Sequence, residues 1–572
     1  MKEMMLTPLQ RFWGLLKPDQ KEIRNVYVYA IFNGLIALSL PLGIQAIVNQ
    51  IQGGQINSSW IILVTFVVLG VAFSGVLQIM QLRVTENLQQ VILGRAAFEF
   101  SFRLPRIKME ALYKHYAPEL MNRFFDIMTV QKGLSKVLID FSSATLQVVF
   151  GLILLSLYHP FFIAFSIILL ILVFSIFRFT AKRGLTTSLT ESKYKYQLAH
   201  WLEEVARNNN TFRLAGKSEL HLEKTDHLVK KYVTARESHF SVLVKQFSLM
   251  VVFKVLVATG LLAIGGILVM EQLMNIGQFI AAEIIILLVM GSVEKLILSL
   301  ETIYDVLTAL EKIGQVTDLE LEQSGLMDIK KEMKQKGLSV EIKNVNFSYP
   351  ENKKATLKDV SLNIEEGDKI AITGANGSGK SSLLKAILGL YNVSSGSISY
   401  NGLPIGNIDV CSLRGITGDA MSYEQLFEGT VLENITLGRN DVSMDNVKWA
   451  VEVLGLSEFI KSLPEGYNTM IESPGNKISN SNVKKLLLAR SIVGKPKLVI
   501  IEDTLEDIDL IHRNKIIDFL TSPENEWSFI TISSDPYLLQ KVDRVVIMQD
   551  GTVSKEGSFK ELTNDLKMLS HA

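Results

Sequence analysis

Apolar residues are bunched at the front of this chain. Six runs, near 26–48, 59–81, 140–158, 161–180, 247–270 and 276–298, carry few charges. Each is long enough to cross a bilayer, which takes roughly 20 helical residues. Six such runs exceed what a water-soluble core accommodates, so they read as membrane spans. The long connections 82–139 and 181–246 read as helical extensions of those spans, with 117–125 and 203–216 at their far ends. Only Tyr158-His159-Pro160, a tight turn, separates the third span from the fourth. Stretch 111–125 mixes aromatic and charged residues without a clean apolar stripe, as expected of a surface that docks on another domain. After Asp305 the hydropathy falls, and 311–338 reads as a charged linker. From 339 to 572, short apolar strands alternate with glycine-bearing turns and helices. The predicted architecture is an α-helical six-span transmembrane domain (1–310), a linker, and an α/β domain.

Charge sets the orientation. Spacers 49–58 and 271–275 contain no Lys or Arg, whereas the long connections are rich in them, as at Arg103, Arg106, Lys108 and Arg123. Positive residues stay inside, so the N-terminus, both long loops and the C-terminal half are expected in the cytosol. The totals agree: 48% hydrophobic, 20% charged, formal net charge zero. That balance gives no electrostatic basis for a nucleic-acid partner; lipid is the expected surrounding. The lone cysteine, Cys411, excludes an internal disulfide framework and a multi-cysteine metal site, and is expected to be a packing residue. No removable signal peptide is expected at the N-terminus.

Some ionisable residues fall inside spans, among them Lys254 in the fifth, and Glu283, Glu294 and Lys295 in the sixth. Charge in lipid is costly, so such groups face a bundle interior, a partner or water. Lys254 and Glu283 read equally well as part of a substrate pathway or as a structural ion pair. Glu294 and Lys295 are expected to snorkel at a span end.

The sharpest chemistry is at 374–381, Gly-Ala-Asn-Gly-Ser-Gly-Lys-Ser. The loop follows an apolar strand-like run and opens a helix-like run, the context in which backbone N–H groups fold around phosphates. Gly374, Asn376, Gly377, Ser378, Gly379 and Ser382 would line the phosphates. Lys380 would reach the outer ones, and the Ser381 hydroxyl would ligate Mg²⁺. ATP with Mg²⁺ is the expected cofactor.

Further stretches carry a resemblance. They are Tyr349 in Phe-Ser-Tyr-Pro, Ser395-Gly-Ser-Ile-Ser-Tyr-Asn-Gly402, Leu426-Phe-Glu-Gly-Thr-Val-Leu-Glu-Asn-Ile435, Leu463-Pro-Glu-Gly-Tyr-Asn468, Leu488-Ala-Arg490 and Asp550-Gly-Thr. With six spans before it, this P-loop ATP-binding cassette resembles that of an ABC exporter half-transporter, in the style of bacterial type I secretion exporters. The resemblance implies a dimer with two ATP sandwiched head to tail between cassettes, a periplasmic adaptor as a further partner, and Tyr349 stacked on adenine. Such a π contact is worth about 0.5–1.5 kcal/mol.

Measured against that family pattern, the firing residues depart. The switch glutamine position holds Ser422, with Gln425 out of register. The loop before the signature reads Glu472-Ser473-Pro474, and the signature itself, normally Leu-Ser-Gly-Gly-Gln, reads Ile478-Ser479-Asn480-Ser481-Asn482. Ser479 and Ser481 remain as hydroxyl donors, but the glycines that permit close backbone approach are gone. The Asp-Glu pair is inverted to Glu502-Asp503, so Glu502 would hold Mg²⁺ through water and Asp503 occupies the base position. The switch histidine position holds Ser534. A misplaced base forfeits much of the roughly 10²–10⁴-fold that general-base catalysis provides.

These departures predict a degenerate cassette that binds ATP and hydrolyses it slowly or not at all. The expected role is a subunit of an ATP-driven exporter of a peptide, protein or amphipathic molecule, paired with a catalytically competent partner. Two alternatives stay open: an ATP-binding regulatory membrane subunit that transports nothing, and an active homodimeric exporter with non-standard catalytic residues.

Overall fold

The protein is described here by a computed structural model, which covers residues 6–52, 58–332, 337–352, 354–472 and 478–570. Parts of the 49–58 spacer and of the 311–338 linker, together with Ser473 and Pro474, lie outside the described residues. The chain divides into two compact units. One comprises Met1–Arg106 and His115–Leu319, the other Ile107–Lys114 and Glu320–Ala572.

Among the described residues of the first unit, six helical stretches are long and apolar enough to cross a membrane: Pro8–Gln52, Ser58–Arg106, Ala117–Ser156, Pro160–Arg207, Leu220–Met270 and Ile276–Thr317. Each contains one of the expected spans. The helix Leu220–Met270 has 51 residues, which is about 75 Å at 1.5 Å per residue. That is more than twice the roughly 30 Å of bilayer hydrocarbon, so the polar connections continue the spans as helix. The turn at Tyr158-His159-Pro160 is tight because His159 caps the fourth helix: its Nδ1 accepts from the Phe161 N–H at 3.2 Å, with Pro160 at the first helical position.

The helix Ile276–Thr317 packs against the helices Phe125–Lys136, Ser142–Ser156, Leu220–Met270 and Pro160–Arg207. Close approach depends on small residues: a Cβ on Gly184 would lie 2.4 Å from the Tyr304 ring, and one on Gly133 would lie 2.2 Å from Val306. A buried polar seam joins the same helices. Gln246 Nε2 donates to Thr180 Oγ1 and Tyr304 Oη, both at 2.8 Å, and Ser188 pairs with Thr308 at 2.9 Å. Interhelical polar bonds of this kind fix register where apolar packing alone does not.

The charged residues in the spans pair differently from expectation. Lys254 Nζ meets Glu294 Oε2 at 2.5 Å, so Glu294 is an ion-pair partner instead of a snorkelling span-end residue. A carboxylate one turn from a facing ammonium gains more from pairing than from stretching to water. Glu283 is half-buried and forms no ion pair or hydrogen bond among the described residues.

The linker stretch is not uniform. The helix Ile276–Thr317 extends into it, a short helix forms at Ile329–Glu332, and the units divide between Leu319 and Glu320. The segment that joins the second unit is Ile107–Lys114, upstream of most of 111–125. The remainder of 111–125 belongs to the first unit. The reason is backbone pairing, which the aromatic and charged composition did not reveal: Ile107 bridges Leu321, and the Lys108 N–H donates to Glu320 O at 2.9 Å.

The second unit is α/β. Its strands are β1 (Val340–Phe347), β2 (Leu357–Ile364), β3 (Lys369–Thr373), β4 (Ser395–Tyr400), β5 (Leu403–Pro404), β6 (Thr417–Ala420), β7 (Gly429–Thr430), β8 (Met470–Ile471), β9 (Leu498–Glu502), β10 (Ser528–Ile532), β11 (Arg544–Gln549) and β12 (Thr552–Gly557). They form a six-stranded sheet of order β12-β11-β3-β10-β9-β6, a four-stranded sheet β2-β1-β4-β5, and the pair β7-β8. Strands β3, β10, β9 and β6 are parallel neighbours. Strands β3, β9 and β10 are buried throughout, which is why they read as continuous apolar runs. Cys411 is exposed, against the packing expectation. Its short helix, Val410–Arg414, turns Ser412 and Leu413 inward instead.

Candidate nucleotide site

Parallel pairing brings the carboxyl ends of β3, β10, β9 and β6 to one edge of the sheet, the place where open α/β sheets bind ligands. From β3 comes the loop 374–381, from β9 the pair Glu502 and Asp503, from β6 Ser422, and from β10 Ser534. Residues scattered over 160 positions of sequence therefore share an edge.

The loop needs its glycines. Gly374 has φ +143° and Gly379 φ +100°, and a Cβ on Gly374 would sit 2.1 Å from Met548 O. Only glycine satisfies both conditions. The helix Lys380–Ile387 starts directly after it. Lys380 Nζ donates to the carbonyls of Gly374, 2.7 Å, and Ala375, 2.9 Å. Burial lowers the pKa of this ammonium, against the raising pull of Asp503 and Glu502. Ser378 Oγ is buried without a hydrogen-bond partner among the described residues, and the space beside Gly377 is open. An orphaned hydroxyl facing an open glycine cradle, with a lysine beside it, is a donor set that fits a phosphate chain.

Ser381 is half-buried at the start of the helix, where its hydroxyl is free to meet a cation. Ser382 is buried, and its Oγ is shared with Tyr349 Oη at 3.0 Å. Asn376 is exposed. Glu502, only 3% exposed, accepts a hydrogen bond from Ser422 Oγ at 3.1 Å on its Oε2. The sequence had named both residues without linking them; the adjacency of β6 and β9 makes the link.

Asp503 has φ +48°. In this left-handed region Asp is tolerated better than longer side chains, because its short carboxyl can bond locally. Its carboxyl is held above the ordinary range, first by partial desolvation and then by Glu506 and Glu502, while Lys380 and Lys484 pull it down. Ser534 is exposed and makes no hydrogen bond among the described residues; its neighbour Ser533 accepts from the Asp535 N–H at 3.0 Å, and Asp535 caps the next helix by accepting from the Tyr537 N–H at 2.8 Å.

Ser479 caps the helix Asn480–Ile492, its Oγ accepting from the Asn482 N–H at 3.4 Å. The signature hydroxyl is therefore engaged with its own helix. Ser481, the second residue of that helix, is half-buried.

Glu424 carries no motif signal, yet it organises the loop after β6. Its side chain is 17% exposed, lies 3.9 Å from Arg490 Nη1, and accepts from the Met421 N–H at 3.3 Å. Burial first, then the charge of and hydrogen bond with Asp419, push its pKa up to about 8. A carboxyl raised in this way binds a proton in the fold that the unfolded chain has released. Its stabilisation is complete below the ordinary Glu range and is lost as pH rises through about 8. Glu424→Gln is therefore expected to raise the melting temperature of the chain near pH 9 by a few degrees, at about 2–4 °C per kcal/mol. At acid pH it should change little. Melting curves at both pH values check this, and equal shifts at both would refute it.

The comparisons with known proteins fall on the same two halves. The family model of the ABC transporter transmembrane region matches residues 24–293, and that of the ABC transporter matches residues 357–506. A probable ABC transporter ATP-binding/permease protein of Haemophilus influenzae is 30% identical over 278 residues, 48% of this chain and 50% of that protein. The alpha-hemolysin translocation ATP-binding protein HlyB of Escherichia coli is 28% identical over 298 residues, 52% of this chain and 42% of that protein. The chain thus spans half or less of the length of these relatives. A solved structure of a bacterial Atm1-family ABC exporter with ATP bound superposes with a TM-score of 0.80 at 17% identity, covering 96% of this chain and 98% of that one. With a transmembrane region and an ATP-binding cassette in one polypeptide, arranged in the exporter fold, the chain is a multi-pass membrane protein that belongs to the ABC transporters.

Proposed function

We propose that this chain is a subunit of an ATP-driven exporter in a bacterial inner membrane, with its N-terminus and cassette in the cytosol. Its cassette holds Mg-ATP as a clamp and hydrolyses it slowly. The observation that carries this reading is the contrast at one sheet edge. A complete phosphate loop, with Lys380 and the orphaned Ser378 hydroxyl, stands beside a base position whose aspartate sits on a left-handed backbone. Lys380 and the loop amides would hold the phosphates, Tyr349 the adenine, and Ser381 with Glu502 the Mg²⁺. A cation held there would supply charge that neutralises the phosphates. No imidazole stands at position 534, and Ser422 replaces the switch glutamine.

Two poor sites in a homodimer would leave little driving force, so the expected partner is a second ABC subunit with competent residues. The role of one relative, alpha-hemolysin translocation, supports a peptide or protein as cargo, with a periplasmic adaptor as a further partner. The test is reconstitution of the full chain in lipid vesicles, alone and with the ABC subunit it purifies with. Transport that needs both subunits and Mg-ATP is expected. ATP binding without transport in either preparation would replace the exporter reading with the regulatory one.

A further inference from the structure

Tyr349 does not present a free ring. Tyr113, from the segment Ile107–Lys114, is stacked on it with centroids 5.5 Å apart and planes at 19°. Phe347 and Tyr391 meet it edge to face at 4.9 and 5.3 Å, and its hydroxyl is engaged by Ser382. The segment bearing Tyr113 is fastened to the cassette on either side of the stack. Glu110 Oε1 accepts from the Asn392 N–H at 2.7 Å, and Lys114 is paired with Glu351. A planar base inserted between two rings needs roughly 7 Å between them, twice the contact distance of about 3.5 Å. The observed stack is too close for that.

We propose that Tyr113 and the adenine ring compete for the same face of Tyr349, so that base binding is felt directly by the Ile107–Lys114 segment. The inference rests on the reading of Tyr349 as the adenine contact and adds a competitor to it. Tyr113 is 45% exposed, so it can leave the stack without opening a core. The neighbouring aromatics hold Tyr349 in place when it does. A closed stack lowers apparent affinity by the fraction of molecules in which the face is free. A stacked aromatic pair sets that factor at roughly two- to tenfold.

The experiment is calorimetric titration of the full chain in lipid nanodiscs with ATP and, separately, with inorganic tripolyphosphate, which occupies the phosphate loop but has no base. Tyr113→Ala is expected to bind ATP roughly two- to tenfold more tightly than wild type, with tripolyphosphate affinity unchanged. Tyr113→Phe, which keeps the stack, should match wild type for both. Unchanged or weaker ATP binding in Tyr113→Ala would overturn the competition, as would equal tightening for both ligands. Tyr349→Ala separates the two levels. If it weakens ATP while Tyr113→Ala has no effect, only the competition fails. If it leaves ATP affinity untouched, the adenine reading of Tyr349 falls, and the competition falls with it.

Discussion

Lys380→Ala is expected to weaken ATP binding by the full chain about tenfold to a hundredfold, the worth of one charge-assisted hydrogen bond to phosphate at roughly 1.5–3 kcal/mol. The substitution is structurally mild. Among the described residues, the ammonium bonds only to the carbonyls of its own loop, Gly374 and Ala375, so its loss frees acceptors that a half-exposed loop can hydrate. A melting assay gives the readout. A ligand at a hundred times its Kd stabilises the fold by about 2.7 kcal/mol. Wild type should show that shift with ATP, and Lys380→Ala should lose most of it at the same concentration. Lys380→Met, which keeps the stem, should behave like the alanine variant. An undiminished shift in both would remove the phosphate loop from the binding site.

The second large effect concerns turnover. The purified chain is expected to hydrolyse ATP about 10²–10⁴-fold more slowly than a cassette with a well-placed base. Asp503→Asn should then alter that residual rate less than about threefold, because a group that is not acting as base contributes little when its charge is removed. Steady-state phosphate release from both proteins measures this. A drop of a hundredfold or more on Asp503→Asn would establish Asp503 as a working base despite its shorter side chain. The inverted pair also explains why exchanging two side chains is a weak repair. Glutamate at 503 would have to adopt φ near +48°, a region that costs a longer side chain more than aspartate.

Much of this was legible in the sequence for identifiable reasons. Spans show because lipid demands long unbroken apolar runs, and the phosphate loop shows because each of its residues has one job at one spacing. The buried strands β3, β9 and β10 show because parallel sheets are covered on both faces. What escaped was decided by pairing in space. Lys254 could be seen to need a partner, but whether that was Glu283 or Glu294 depended on how two helices are rotated. Glu424 looks like any loop glutamate until Asp419 and Arg490 are placed beside it. Tyr113 lies in a stretch with no motif, and it reaches Tyr349 through pairing in space: Ile107 with Leu321, Glu110 with Asn392 and Lys114 with Glu351. Cys411 was misjudged because a five-residue helix has one buried face and no long periodicity to announce it.

The helices Pro160–Arg207, Leu220–Met270 and Ile276–Thr317 are pinned to one another at Gln246, at Ser188 and Thr308, and where Gly184 meets the Tyr304 ring. Rods clamped along their length resist flexing far more than the same rods free to slide. A push applied at the polar tips of this trio therefore reaches the apolar spans as a swing of the whole strut, with little absorbed as curvature on the way. Loosening one pin, as Gln246→Leu would, turns a stiff lever into a spring.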